Sequence, residues 1–151
     1  MILNAPATKK TSNRVVTIPR KGVRACPCCG HRPGFPKVLP SEQYEAWLEN
    51  ALHQMIAIRA KLASRGVALP IAGLVSVEAL FFRPSNTTGD INGYTQAVGD
   101  MLQAARVLIN DRQIEDFDGS RRRVDAVRPR TEIYIHVVEP RAVQEDLPLD
   151  T

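Results

Sequence analysis

Gly89 to Ile114, GDINGYTQAVGDMLQAARVLINDRQI, carries the pattern from which the fold of this chain is read. Asp90 stands where a carboxylate can cap a helix, accepting from backbone N–H groups that lack a partner in the first turn. Tyr94, Ala97, Val98, Met101, Leu102 and Ala105 then recur at spacings of three and four. That places them on one apolar face and leaves Gln96, Asp100 and Gln103 off it. Gly99 weakens the helical pattern without ending it. Val107-Leu108-Ile109 reads as a short buried return, Asn110-Asp111 as a turn, and Gln113-Ile114 as the start of a strand. One carboxylate at the helix start and another after the return make a candidate pair of ligands for a hard cation. Without that chemistry, Asp90 is a helix cap and Asp111 a turn residue.

Upstream, Leu74 to Phe82 is apolar on both faces except at Ser76 and Glu78, the pattern of a strand at the centre of a sheet. The polar loop from Arg83 to Gly89 then delivers Asp90 to the C-terminal end of that strand, where loops commonly build sites. Ser41 is a good N-cap for the longest helix, Ser41 to Ser64, which Gly66 can end. Its stripe of Tyr44, Trp47, Leu48, Ala51, Leu52, Met55, Ile58 and Leu62 reads as core packing, with His53 on the surface. Val15 to Ile18 is a short strand stopped by Pro19. Downstream, Arg121-Arg122-Arg123 follows a turn at Gly119, and Thr131 to Val138 alternates as a strand exposed on one face; these two segments are expected to pair as an antiparallel hairpin.

Together these elements predict an α+β fold: a compact single domain with a mixed sheet of about four to five strands and two main helices packed on it. Residues 1–12 form a flexible N-terminus, 13–139 the domain with a Cys-rich insertion at 24–34, and 140–151 a loose tail. A chain of 151 residues is long enough for one real core and too short for two comfortable ones. No apolar run approaches the roughly 20 residues that span a bilayer. The N-terminus has no apolar signal-peptide region. With three clustered cysteines, a reduced cytoplasmic setting is expected rather than a disulfide framework.

The net charge of +4 understates its unevenness, because residues 1–41 hold eight Lys or Arg and no Asp or Glu. Such a segment is either a solvated arm or a surface for an anion. Within it, Cys26-Pro27-Cys28-Cys29-Gly30-His31 contains the CPxCG form of a zinc knuckle. A structural Zn²⁺ needs four ligands. Cys26 and Cys29 would have to be joined by Cys28 or His31, awkward at this spacing, by a distant residue such as His53, or by a symmetry mate. A hairpin tip without metal is the simpler reading, and Zn²⁺ is possible but not favoured.

The stretch from Asp90 onward resembles the RusA family of Holliday-junction endonucleases, whose core reads roughly D-x-D-N-x-x-K-x-x-x-D-A-L, about ten residues, then D-D-x-Q-V/I. Laid on without a gap, Asp90 takes the first aspartate, Asp100-Met101-Leu102 the D-A-L, and Asn110-Asp111-Arg112-Gln113-Ile114 the D-D-x-Q-I. The chain departs at Asn92, Gly93 and Gln96, where the family has aspartate, asparagine and lysine. The resemblance extends over most of residues 11–139, through Val75 to Phe82 upstream and to Arg121 downstream.

It implies a Mg²⁺-dependent homodimeric nuclease acting on branched DNA, with Mn²⁺ able to substitute. Asp90, Asp111 and Asn92 would be the metal ligands and Gln96 would stand in the catalytic lysine's place. Lys9, Lys10, Arg14, Arg20, Lys21, Arg24, Arg112, Arg121, Arg122 and Arg123 would hold DNA. A catalytically weakened junction- or duplex-binding module is the alternative, and a zinc-ribbon adaptor for nucleic acid or protein is a third reading resting on the knuckle alone.

Overall fold

The computed structural model describes residues 1–3, 14–86 and 90–139. In chain order these form β1 (Ile2–Leu3), β2 (Arg14–Pro19), β3 (Gly34–Leu39), α1 (Glu42–Ser64), β4 (Val75–Arg83), α2 (Ile91–Ala104), β5 (Ile114–Asp116), β6 (Arg121–Val124) and β7 (Arg130–Val137). The fold is α+β: a mixed five-stranded sheet, two helices and a separate two-stranded ribbon of β2 and β3.

β4 is the central strand. Antiparallel β7 covers one of its edges from Val75↔Val137 to Phe82↔Arg130. The other edge is shared by two short parallel strands, β5 at its start and β6 at its end. The expected hairpin between Arg121–Arg123 and Thr131–Val138 is therefore corrected: β6 and β7 flank β4 on opposite sides. A parallel partner needs a long crossover, and residues 84 to 120, with α2 among them, supply it. At the far edge β1 pairs with β7, so Ile2 and Leu3 belong to the sheet. Residues 4–13, 87–89 and 140–151, including the expected flexible tail, lie outside the described residues.

α1 starts where its sequence says it should, with the Ser41 hydroxyl accepting from the Tyr44 amide at 3.1 Å. It ends in a left-handed residue, Gly66, whose amide and that of Val67 satisfy the Ala63 and Leu62 carbonyls. Tyr44, Trp47, Ala51 and Met55, spaced by three and four, bury one stripe against α2 and the sheet. On β4 the alternation of a strand does the same: Val75, Val77, Ala79 and Phe81 are all fully buried and face the helices. Burying a side chain such as Phe81 stabilises the fold by about 1.5–3 kcal/mol. The expected return run divides, since Val107 and Leu108 are buried whereas Ile109 is 65% exposed.

Candidate functional site

α2 carries the site. Asp90 is its N-cap, accepting from the Asn92 amide at 3.0 Å through Oδ1. Asn92, Gln96, Gly99 and Gln103 follow at spacings of four, three and four, so they lie along one face of the helix, opposite the side that buries Tyr94 and Met101. Gly99 is buried because the chain returns across it. A Cβ there would meet the Ile114 side chain at 3.5 Å and the Asp111 Cβ at 3.8 Å.

Asp111 opens a 3-10 turn, Asp111–Gln113, that is held by three side chains the sequence reading did not single out for this role. Gln103 accepts from the Asp111 amide at 2.9 Å. Asn110 caps the turn by accepting from Arg112 N. Gln113 accepts from the amides of Ile109 and Asn110 and donates from Nε2 to the carbonyls of Ile71 and Gly73, at 3.0 and 2.7 Å. A capping box is visible in Asn110-x-x-Gln113. The pinning of Asp111 to α2 and to the Ile71–Gly73 connector is a long-range consequence that no local pattern shows.

Asp90, Asn92 and Asp111 thus border one helix face. They form a line: Gly99, beside Asp111, is seven residues and about 10 Å of helix rise from Asn92, with Gln96 between them. Among the described residues, no group of three or more His, Cys, Asp or Glu that is close enough to share an ion includes Asp90 or Asp111. Nearby carboxylates are engaged elsewhere. Asp100 accepts from the Tyr44 hydroxyl at 3.1 Å; burial, then this carboxylate, push the phenol far above its ordinary range. Asp116 accepts from the Ser76 hydroxyl and the Asp118 amide, which hold its carboxyl below the usual value. Glu78 pairs with Arg121 at 3.5 Å.

The basic residues fall into separate groups. Arg121, Arg122 and Arg123 of β6 join Arg83, Ser85, Asn86, Ile91 and Val124 in lining a groove of 460 Å³ that reaches the first turn of α2. Arg83 also lies over the Tyr94 ring, 5.1 Å from its centroid. Arg112 is exposed on the Asp111–Gln113 turn. Arg14 is committed to α1 through ion pairs with Glu42 and Glu45. Arg20 stacks on Phe35 at 4.4 Å, and Lys21 and Arg24 are exposed near the tip of the β2–β3 ribbon. Lys9 and Lys10 lie outside the described residues.

At that tip the expectation for Cys28 is corrected. Cys26, Cys28 and Cys29 place their Sγ atoms within 4.8 Å of one another, an arrangement able to hold a metal ion. Cys26 and Cys28 are 2.7 Å apart. The hydrogen bond between the two thiols brings Cys26 down to about 7, while Cys28 itself is raised. His31 contributes its backbone, its carbonyl accepting from the Cys26 amide at 2.8 Å.

No family model matches this chain, and no curated protein matches it. Among the described residues, no helix is long and apolar enough to cross a membrane.

Proposed function

We propose that this chain is a RusA-like, Mg²⁺-dependent endonuclease that cuts phosphodiester bonds at four-way DNA junctions, working as a cytoplasmic homodimer. One juxtaposition carries the reading: an arginine-lined groove meets the same first turn of α2 that bears Asp90 and Asn92. Backbone phosphates take their affinity from such cations. Arg122 and Arg123, with Arg83, hold the strand, and Arg121 is shared with Glu78.

The donor set fits Mg²⁺ in kind. Asp90 and Asp111 offer carboxylate oxygens and Asn92 a carbonyl oxygen, and this ion is usually held by one or two carboxylates while keeping waters and substrate phosphates. Once bound it supplies an activated water and neutralises charge at phosphorus, and Mn²⁺ would substitute. Gln103 keeps the Asp111 turn against α2, and Gln113 ties it to the Ile71–Gly73 connector. Gln96, between Asn92 and Gly99, can donate to a phosphate oxygen but brings no positive charge.

A second reading, a junction- or duplex-binding module with little cleavage, is favoured by two observations. The positions of the second aspartate and the lysine are neutral, and no three acidic ligands converge among the described residues.

The test is cleavage of four-way junctions by the native chain with Mg²⁺ or Mn²⁺, beside Asp90→Asn and Asp111→Asn. Asparagine caps a helix as well as aspartate does, so Asp90→Asn keeps α2 intact. Each variant is expected to lose more than about a hundredfold in cleavage, beyond the loss that contacts supporting a metal ligand produce. Binding should stay the same or tighten, because a charge facing phosphate is gone. Native-rate cutting by Asp111→Asn would refute the site. A native chain inert with both metals, rescued by Asn92→Asp with Gln96→Lys, would establish the second reading.

A further inference from the structure

We propose that Cys26, Cys28 and Cys29 form a three-thiolate site for one zinc-class cation at the tip of the β2–β3 ribbon, with the fourth coordination position open to solvent. The turn that presents the thiols is closed by its own backbone. Cys26 N donates to the His31 carbonyl and Gly30 N to the Cys26 carbonyl, both at 2.8 Å, and Gly30 takes the left-handed φ of 69° that lets the chain reverse there. Cys28 and Cys29 lie inside that closed turn, so three sulfurs are gathered without help from the rest of the fold.

Distances and donor chemistry agree on the occupant. Four ligands at about 2.3 Å around a tetrahedral zinc stand about 3.8 Å from one another. All three Sγ atoms lie within 4.8 Å of one another, and the Cys26–Cys28 pair at 2.7 Å has to open by about 1 Å to admit the ion. Cys28 and Cys29 are exposed, which leaves room for that adjustment and for a water in the fourth position. No Asp or Glu occurs in residues 1–41. Among the described residues the group close enough to share an ion at the tip is these three sulfurs, without His31, and thiolates select zinc-like ions over Mg²⁺. Each thiol gives up its proton to the solvent as the metal–sulfur bond forms, so up to three protons leave per ion bound.

The ribbon gains the most from such a pin. Four of its large apolar side chains, Val15, Ile18, Phe35 and Val38, are exposed and the other two, Val16 and Leu39, are only partly buried, so burial does little to hold it. Metal binding energy becomes local folding energy in such a case. The site is independent of the nuclease reading, because sulfur ligands and carboxylate ligands take different ions at different places.

The experiment is titration of the reduced, metal-free full chain with Co²⁺, followed by displacement with Zn²⁺. Expected are a thiolate-to-cobalt charge-transfer band saturating at one equivalent per chain, and its loss when Zn²⁺ is added. Cys26→Ser, Cys28→Ser and Cys29→Ser should each weaken binding more than about tenfold, and His31→Ala should leave it unchanged. Far-UV circular dichroism of each variant shows whether α1 and α2 persist, so a lost band is not mistaken for unfolding. Absence of the band in the folded native chain overturns the site, and so does native affinity in Cys28→Ser. Saturation at half an equivalent, or dependence on His31, overturns the single-chain site with an open position.

Discussion

Val75, Val77, Ala79 and Phe81 of β4 are wholly buried, whereas Val15, Ile18, Phe35 and Val38 of the β2–β3 ribbon are 68, 43, 56 and 61% exposed. Both are strand structures with apolar side chains, yet they are held by different forces. β4 has a paired strand on each edge and two helices over one face, so its side chains are removed from water on folding. The ribbon has a single paired edge per strand. It is kept in shape by six-residue pairing, the Arg20–Phe35 stack, and the ion pairs that tie Arg14 to the first turn of α1. The sheet is a scaffold able to hold α2 and its site rigidly. The ribbon is an arm that presents cations and thiols.

The sharpest way to break that contrast is to truncate one phenyl ring in each region. Phe81→Ala is expected to lower stability by about 3–5 kcal/mol, through lost transfer energy and the cavity left behind. Phe35→Ala, already more than half exposed, should fall within the roughly 0.5 kcal/mol typical of surface changes. Urea denaturation followed by circular dichroism measures both. Equal costs would mean that the ribbon packs on something in solution and that the two regions are not different in kind.

A smaller effect tests how the arm is attached. Arg14→Ala removes both ion pairs to α1 and should cost less than about 1 kcal/mol globally, since the partners are largely exposed and screened. Locally it should be more visible, as faster amide hydrogen exchange in Val16 and Ile18 while β4 amides keep their protection. Unchanged exchange in the ribbon would show that pairing alone orders it.

The same division separates what the amino-acid pattern revealed from what it hid. α1 and β4 were legible because burial writes a period: Ser41 and the Tyr44–Trp47–Ala51–Met55 stripe mark one, and the doubly apolar run to Phe82 marks the other. Asp90 was legible as a cap because N-cap chemistry is local. β6 was not, since Arg121-Arg122-Arg123 has no apolar alternation and its parallel place beside β4 is set by a crossover of more than thirty residues. β3 was hidden by Pro36, which ordinarily argues against a strand; in a two-stranded ribbon the outer edge has no partner, so a missing N–H is tolerated there. At the site, Asp111 was legible as a residue type in a spaced motif. Its support by Gln103 and Gln113 was not, because side-chain bonds to distant backbone leave no periodic trace.

The smallest expected effect concerns acid, and it compares a turn of each region. Between β6 and β7 the Asp125 carboxylate accepts from the amides of Arg128 and Val127 and pairs with Arg130, which also binds Glu132 and lies over the Phe82 ring. The Arg128 amide, then the Arg130 guanidinium, hold the Asp125 carboxyl below its ordinary value. A carboxyl depressed in the folded state stabilises fully above its unfolded pKa of about 3.9, and the contribution is lost as pH falls through the lower folded value. The amide resonances of Val127 and Arg128 should therefore shift with a midpoint below about 3.9. The turn at the ribbon tip is closed by backbone bonds, Cys26 N to His31 O and Gly30 N to Cys26 O, in a segment that contains no carboxylate. Its amides should stay in place through the same acid step. A midpoint at or above 3.9 for Arg128 would remove Asp125 as the acceptor, and a matching shift at Gly30 would show that the ribbon tip rests on a carboxylate from the body of the protein and is not self-contained.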